Sequence, residues 1–316
     1  MYISKLKPYF YLGMFYGLVS MMVRIVFIFH PITSVKFGVF ESLKILFIGG
    51  LTDLLVFILA SSIFMLYSLF LSDSKYEKPY GYIIFGLFVL AFLYTVLVPG
   101  NIFKQYGGSF PEVAMIFVGL KTLLFGLMLF LPEQRIKIRN TLYFIIFFLY
   151  VLLIIFNGVS EYFFWNEFGV RYNFIAVDYL IYTNEVIGNI MESYPVLPLF
   201  SAILAAALLV TWFIYRKTKD ELLKLPSFKQ KLVLVATFVI LFGVSLVIIP
   251  QFDKIKTDNT FAQEIQANGF PKFYHAFTQN ELDYFQFYPT MDQKLAENNF
   301  LKQFNPPTLN RYVNSP

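Results

Sequence analysis

The sequence predicts an all-α membrane protein of about seven transmembrane helices, with an amphipathic interfacial helix in a long periplasmic loop and a polar C-terminal tail. Three observations predict it. Hydrophobic residues make up 58% of the 316 residues and charged residues only 14%, against roughly 25% charge in a soluble domain. Seven apolar runs approach the length, about 20 residues, that a helix needs to cross roughly 30 Å of hydrocarbon. The basic residues between those runs alternate in density from one connection to the next, as topology signals do.

The runs cover residues 10–29, 45–71, 81–98, 113–131, 141–160, 196–215 and 232–249. The first is too long for a cleavable signal peptide, lacks a small-residue cleavage site and is followed by further spans. The third and last are short enough for one of them to be re-entrant. With the N-terminus in the cytoplasm, the inner segments hold Lys5, Lys7, Lys75, Lys78, Arg135, Lys137, Arg139, Arg216, Lys217, Lys219, Lys224, Lys229 and Lys231. The outer loops hold Lys36, Lys44, Lys104 and Arg171. Thirteen against four orients the chain in the cytoplasmic (inner) membrane, N-terminus inside and C-terminus periplasmic. Residues 1–249 form the transmembrane domain, and 250–316, polar and punctuated by Pro and Gly, a periplasmic linker or tail that ends in Asn305, Pro306, Pro307 and beyond.

Several function classes fall away. A net charge of +5 and a pI near 9.0 do not indicate nucleic acid, because the basic residues lie between apolar runs rather than on one face. The absence of cysteine excludes disulfides, cysteine–zinc sites and thiol nucleophiles. There is no phosphate-binding G-x-x-x-x-G-K-[ST], no H-E-x-x-H and no strand-flanked G-x-G-x-x-G. The paired glycines Gly49–Gly50 and Gly107–Gly108 read as close-packing or turn positions. His275 with Glu281 and Asp283 is the one outer cluster of ligand-type residues, and it is too thin for a metal site.

Three ionisable residues lie within spans: Arg24, Asp53 and Lys121. Each costs about 2.5–3.5 kcal/mol to insert unless compensated. At 1.5 Å per residue, Arg24 lies about 8 Å and the other two about 12 Å from the outer end of their spans. Two readings stand: an ion pair plus a snorkelling side chain, or a polar pocket for the phosphate of an anionic lipid. In the second, Arg24 contacts phosphate and Lys121 pairs with Asp53, since a guanidinium suits bidentate phosphate binding.

The connection 161–195 is too long for a simple loop. Its aromatic group Tyr162, Phe163, Phe164, Trp165 and Phe168 suits a head-group belt. From Asn173 to Glu192 the spacing is helical. Val177, Leu180, Ile181, Ile187, Ile190 and Met191 share an apolar face, opposite the acidic Asp178, Glu185 and Glu192. That pattern suits a helix lying in the interface, and equally a lid packed over the bundle.

The string NEFGVRYNFIAVDYLIYTNEVIGNI, residues 166–190, resembles the membrane region of lipoteichoic-acid-synthase-like proteins of Gram-negative bacteria, in the sulfatase/alkaline phosphatase superfamily. NGFPKFYHAFTQNELDYFQFYP, residues 268–289, is similar to the segment joining their membrane bundle to an outer domain. The resemblance implies a membrane anchor followed by an extracytoplasmic catalytic domain with a metal-bound Thr or Ser nucleophile, transferring or cleaving a phosphorylated or sulfated head group such as phosphoglycerol. The nucleophile and the divalent-metal ligands would follow the tail, past Pro316, so no catalytic or metal residue and no cofactor is carried onto this chain. The expectation is therefore the membrane half of such an enzyme: an anchor and lipid-presenting domain whose partners are membrane lipids, anionic phospholipid included, and a periplasmic catalytic domain. A small-molecule transporter or channel, and a scaffold for a separately encoded partner, remain the competing classes.

Overall fold

The computed structural model describes residues 7–70, 72–105, 108–222, 227–255, 257, 259–279, 291 and 293–303. Among them every regular element is helical: α1 Lys7–Phe29, α2 Val39–Ala60, α3 Ser62–Phe70, α4 Tyr80–Leu97, α5 Phe110–Phe130, α6 Arg135–Phe168, α7 Phe174–Ile181, α8 Thr183–Ser193, α9 Val196–Leu222, α10 Phe228–Asp253, α11 Thr260–Gln266, α12 Gly269–Thr278 and α13 Gln293–Gln303. Seven of these, α1, α2, α4, α5, α6, α9 and α10, are long and apolar enough to cross a membrane. The protein is an all-α membrane protein. Only 11–39% of each crossing window is buried within the chain, so most of the apolar surface, Met14, Leu18 and Met22 of α1 among it, is left for hydrocarbon.

The second apolar run is a kinked pair rather than one helix. At Ser61 the hydroxyl donates to the Phe57 carbonyl at 2.5 Å and lies 3.4 Å from that of Ile58. A side chain that bonds back onto its own preceding turn bends a helix there, and α2 gives way to α3.

Helix α1 is central: it packs on α2, α6, α9 and α11, while α10 lies along α2 and α9 along α6. Leu12, Phe57, Phe64, Phe147, Val151 and Ala207 join α1, α2, α3, α6 and α9 in one core. Helices α4 and α5 form a hairpin attached through Tyr76, Phe125 and Leu129. At that end of the molecule Arg139 bonds Asp73, and Arg135 lies 4.9 Å over the Tyr76 ring. We call this the Arg139 end, and the opposite one the Arg24 end.

Helix α6 has 34 residues, about 51 Å at 1.5 Å per residue, well beyond a bilayer's hydrocarbon. It does not stop near Ser160 because neither Pro nor Gly follows Gly158 until Gly169, which ends it at φ +65° with its N–H on the Trp165 carbonyl. The aromatic group expected in a head-group belt therefore rides on this helix. Trp165 and Phe164 are buried, and Trp165 stacks on Phe27 with ring centres 4.3 Å apart. Tyr162 and Phe168 remain exposed.

The expected interfacial helix is two helices, α7 and α8, broken at Tyr182. Asn173 caps α7 by accepting the Ile175 N–H at 3.0 Å, and the Thr183 hydroxyl takes the Leu180 carbonyl at 2.7 Å, drawing off an acceptor where α7 ends. Of the apolar face, Val177 is buried, and α7 packs on α12. Leu180, Ile181, Ile187, Ile190 and Met191 stay 41–64% exposed.

Residues 259–278, after the last span, are no loose linker. Ala262 and Ile265 of α11 are fully buried with Phe27, Ile45 and Trp165. Asn259 caps α11 and Asn268 caps α12. The expected linker from Asn305 lies outside the described residues, as do Glu281 and Asp283.

Candidate functional site

Two buried ion pairs fasten α11 to the bundle at the Arg24 end. Arg24 has no exposed surface and uses every side of its guanidinium. Nε and Nη2 donate to the two carboxylate oxygens of Asp53 at 3.1 and 2.5 Å, and Nη2 also to the Gly49 carbonyl at 3.1 Å. Nη1 meets the carbonyls of Ile265, Gln266 and Ala267, the latter two at 2.8 and 2.7 Å. These are the carbonyls that the last turn of a helix leaves without partners, and a cation there satisfies both their lone pairs and the helix dipole. The Asp53 carboxylate also accepts Asn268 Nδ2 at 2.7 Å, and the same amide donates to the Tyr16 hydroxyl at 2.8 Å.

Arg171 makes the second fastening. It pairs with Glu161, and its Nε and Nη2 reach the carbonyls of Glu264 and Ile265 at 3.2 Å each. Its guanidinium lies 5.1 Å over the Phe27 ring. Burial pushes the Arg171 guanidinium below its ordinary value while the Glu161 carboxylate acts the other way. Glu264 accepts the Arg171 backbone N–H at 3.0 Å and pairs with Lys272. The three cations Arg24, Arg171 and Lys272 thus meet the three anions Asp53, Glu161 and Glu264, and no positive charge is left over in this group.

Close approach depends on two glycines. A Cβ on Gly49 would sit 2.5 Å from Arg24 Cζ, and one on Gly269 2.5 Å from Glu161 Oε1. Each leaves room for a buried charge rather than for a turn.

Of the three charges singled out from the sequence, the structure brings together Arg24 and Asp53 and leaves Lys121 apart. Asp53 pairs with Arg24, not with Lys121 as expected, because α5 packs on α4 and not on α1 or α2. Lys121 is exposed, and its charge acts on Lys75. Arg24, expected to hold a lipid phosphate, has its N–H groups directed at Asp53 and four carbonyls, which leaves none for phosphate. In the sequence Glu161, Arg171, Glu264 and Asn268 read only as loop and tail polar residues. The signal that could have found them is Asn268 ahead of Gly269-Phe270-Pro271, which reads as a helix cap.

Beside α11 lies a cavity of about 450 Å³, walled by Thr52 of α2, Phe252 of α10, Tyr172 to Phe174 at the start of α7, Gln263 and Gln266 of α11, and Pro271, Lys272 and His275 of α12. The two stretches that carry the family resemblance thereby face each other: residues 172–174 belong to the first and 271–276 to the second. Gln266 is 4% exposed, and its buried Oε1 accepts no hydrogen bond. The walls suit an amphiphile, with amide and ammonium groups on one side and Phe174, Phe252 and Pro271 on the other.

The resemblance would imply a divalent metal, and Glu281 and Asp283 lie outside the described residues. Among the described residues no three His, Asp or Glu side chains converge as a ligand set, so no chemical step is derived through a metal. No family model, no curated protein and no solved structure matches the chain.

Proposed function

We propose that this chain is the membrane domain of a head-group transferase or sulfatase-like hydrolase of the lipoteichoic-acid-synthase-like type, acting as anchor and lipid-presenting platform. In this reading the N-terminus and the Arg139 end face the cytoplasm, the Arg24 end faces the periplasm, and residues 259–278 form a rigid seat for a catalytic unit. The supporting observation is the meeting of α7 and α12 at one cavity, with α11 held beneath by Arg24 and Arg171. An anchor that only tethers needs a span and a flexible linker. One that orients a catalytic unit towards lipid needs its exit segment fixed, and buried charge pairs give that fixity through directional bonds.

Two measurements test the proposal. Single cysteines in this cysteine-free chain, Lys137→Cys and Asn184→Cys, are exposed to an impermeant thiol reagent in cells with a permeabilised outer membrane. Labelling of the second and not the first is expected, and the reverse overturns the orientation. For the activity, the envelope lipids and glycans of a strain lacking the gene are compared by mass spectrometry with those of the parent. Loss of a phosphoglycerol-type or sulfate substituent, restored by the gene, is expected. An unchanged substituent pattern overturns the transferase and hydrolase reading and leaves the transporter and scaffold classes.

A further inference from the structure

We infer that the cavity between the last turns of α6 and helix α8 binds a small organic monocation, a methylated ammonium of the choline type that carries no phosphate. The inference goes beyond the function proposed above and stands whether or not that reading holds.

The site grows out of the length of α6. Phe163, Phe164, Glu167 and Phe168 occupy its last turns, at spacings that put them on one face. Helices α7 and α8 fold back against that face. Tyr179 of α7, Ile190 of α8 and Tyr194 just after it complete the wall of a cavity of about 290 Å³. The rings brace one another. Phe163 and Tyr194 meet edge to face with centres 4.6 Å apart, Phe164 lies 4.7 Å from Phe168, and Phe168 lies 6.3 Å from Tyr179. Aromatic rings attract a cation through their π-systems, and they bury the methyl groups of a substituted ammonium at the same time.

Glu167 supplies the opposite charge. Its Oε1 accepts the Tyr194 hydroxyl at 2.6 Å, and this bond holds the phenol above its ordinary value, so the proton stays on Tyr194. Among the described residues no Lys or Arg pairs with Glu167. Residues 160–196 contain a single basic residue, Arg171, which is buried and pairs with Glu161. Asp178, Glu185 and Glu192 each adjoin a residue that lines the cavity, so the surroundings are acidic as well.

The same features decide what the site rejects. A calcium ion takes about six or more oxygen ligands, which one carboxylate among five rings does not supply. A phosphate-bearing head group would bring its anion among Glu167, Asp178, Glu185 and Glu192, where like charges repel. A methylated ammonium suits both parts of the wall. Its charge meets Glu167, and its methyl groups lie among Phe163, Phe168, Tyr179 and Tyr194.

The test is isothermal titration calorimetry of the purified full chain in an uncharged detergent. The probes are choline, phosphocholine and choline's uncharged isostere, in which a tert-butyl group replaces the trimethylammonium. Choline should bind saturably, and about tenfold or more tighter than either companion. Glu167→Gln and Tyr194→Leu should each weaken choline by about tenfold, whereas Tyr194→Phe, which keeps the ring, should retain most of the affinity. No saturable choline binding overturns the inference on the unaltered chain alone, as does an isostere that binds as tightly as choline. Choline affinity unchanged in both Glu167→Gln and Tyr194→Leu also overturns it, because the cation then sits elsewhere. Phosphocholine binding as tightly as choline overturns the rejection of phosphate. None of these readouts bears on the envelope comparison, so the two readings fall separately.

Discussion

Replacing Arg24 by Met should release α11 from the bundle while the seven spans stay assembled. Met roughly fills the aliphatic part of the arginine, so the loss is one of charge and hydrogen bonds. Asp53 keeps the Asn268 amide but loses its cation, and the carbonyls of Gly49, Ile265, Gln266 and Ala267 lose the Arg24 donor, Ile265 keeping that of Arg171. Stranding one member of a buried pair costs about 3–5 kcal/mol. The carbonyls of Gln266 and Ala267, left without that donor, add about 1–3 kcal/mol each. The cheaper response is for α11 to swing into water, so the cost is capped at the docking free energy of that segment. A loss of at least about 3 kcal/mol raises its opening equilibrium roughly 150-fold, at 1.4 kcal/mol per factor of ten. The chain contains no cysteine, so Ala262→Cys introduces a single reporter at a fully buried position of α11. Its alkylation rate should rise about 100-fold or more when Arg24→Met is added. Asp53→Asn, which spares the carbonyl bonds, should give a smaller rise. A rate in Arg24→Met within about threefold of the parent would refute the claim that this guanidinium holds the segment.

Other outcomes follow from the same geometry. Gly49→Ala should reproduce much of the Arg24→Met effect in the alkylation assay, since its Cβ meets the guanidinium at 2.5 Å, whereas Gly50→Ala, whose nearest atom is Met21 Cε at 3.5 Å, should leave the rate unchanged. Similar behaviour of the two alanine variants would count against the contact. Burial, with Lys121, Arg139 and Lys231 nearby, pushes the Lys75 ammonium down to about 8. The folded chain therefore releases this proton before the unfolded one, and stability should rise as pH climbs from about 8 towards the ordinary lysine value near 10.4. Melting curves across that window should flatten in Lys75→Met, and an unchanged slope would exclude the lysine as its source. Lys121→Gln should leave the alkylation rate at α11 as it was, because Asp53 is held by Arg24; a large increase would restore the Lys121–Asp53 pairing.

Fold class and the number of spans are legible in the amino-acid order alone. Hydropathy sums locally along a helix, and lipid imposes no tertiary demand beyond length and internal backbone bonding. Runs such as 113–131 and 232–249 needed no knowledge of their neighbours. The caps Asn173, Asn259 and Asn268 and the helix end at Gly169 involve only residues within one turn, yet the fifth apolar run by itself ends at residue 160. The same locality misled where the outcome depended on a distant partner. The aromatic residues 162–168 look like a belt until Phe27 is seen stacked on Trp165, and Glu161 and Arg171 look like loop charges until they are seen to close on each other over α11. Lys121 and Asp53 match in sequence depth, but depth along an axis says nothing about which helices touch. That Arg24 takes Asp53 and three carbonyls some 240 residues further along the chain emerges only from the packed bundle. The packing likewise makes core of a seven-residue helix with Gln and Glu in its sequence. Gln263, Glu264 and Gln266 average away the apolar signal of Ala262 and Ile265, and two turns are too few for a period to register. What makes the segment part of the bundle is the energy of satisfying buried charge and backbone together, and that exists only once both ends of the chain have met.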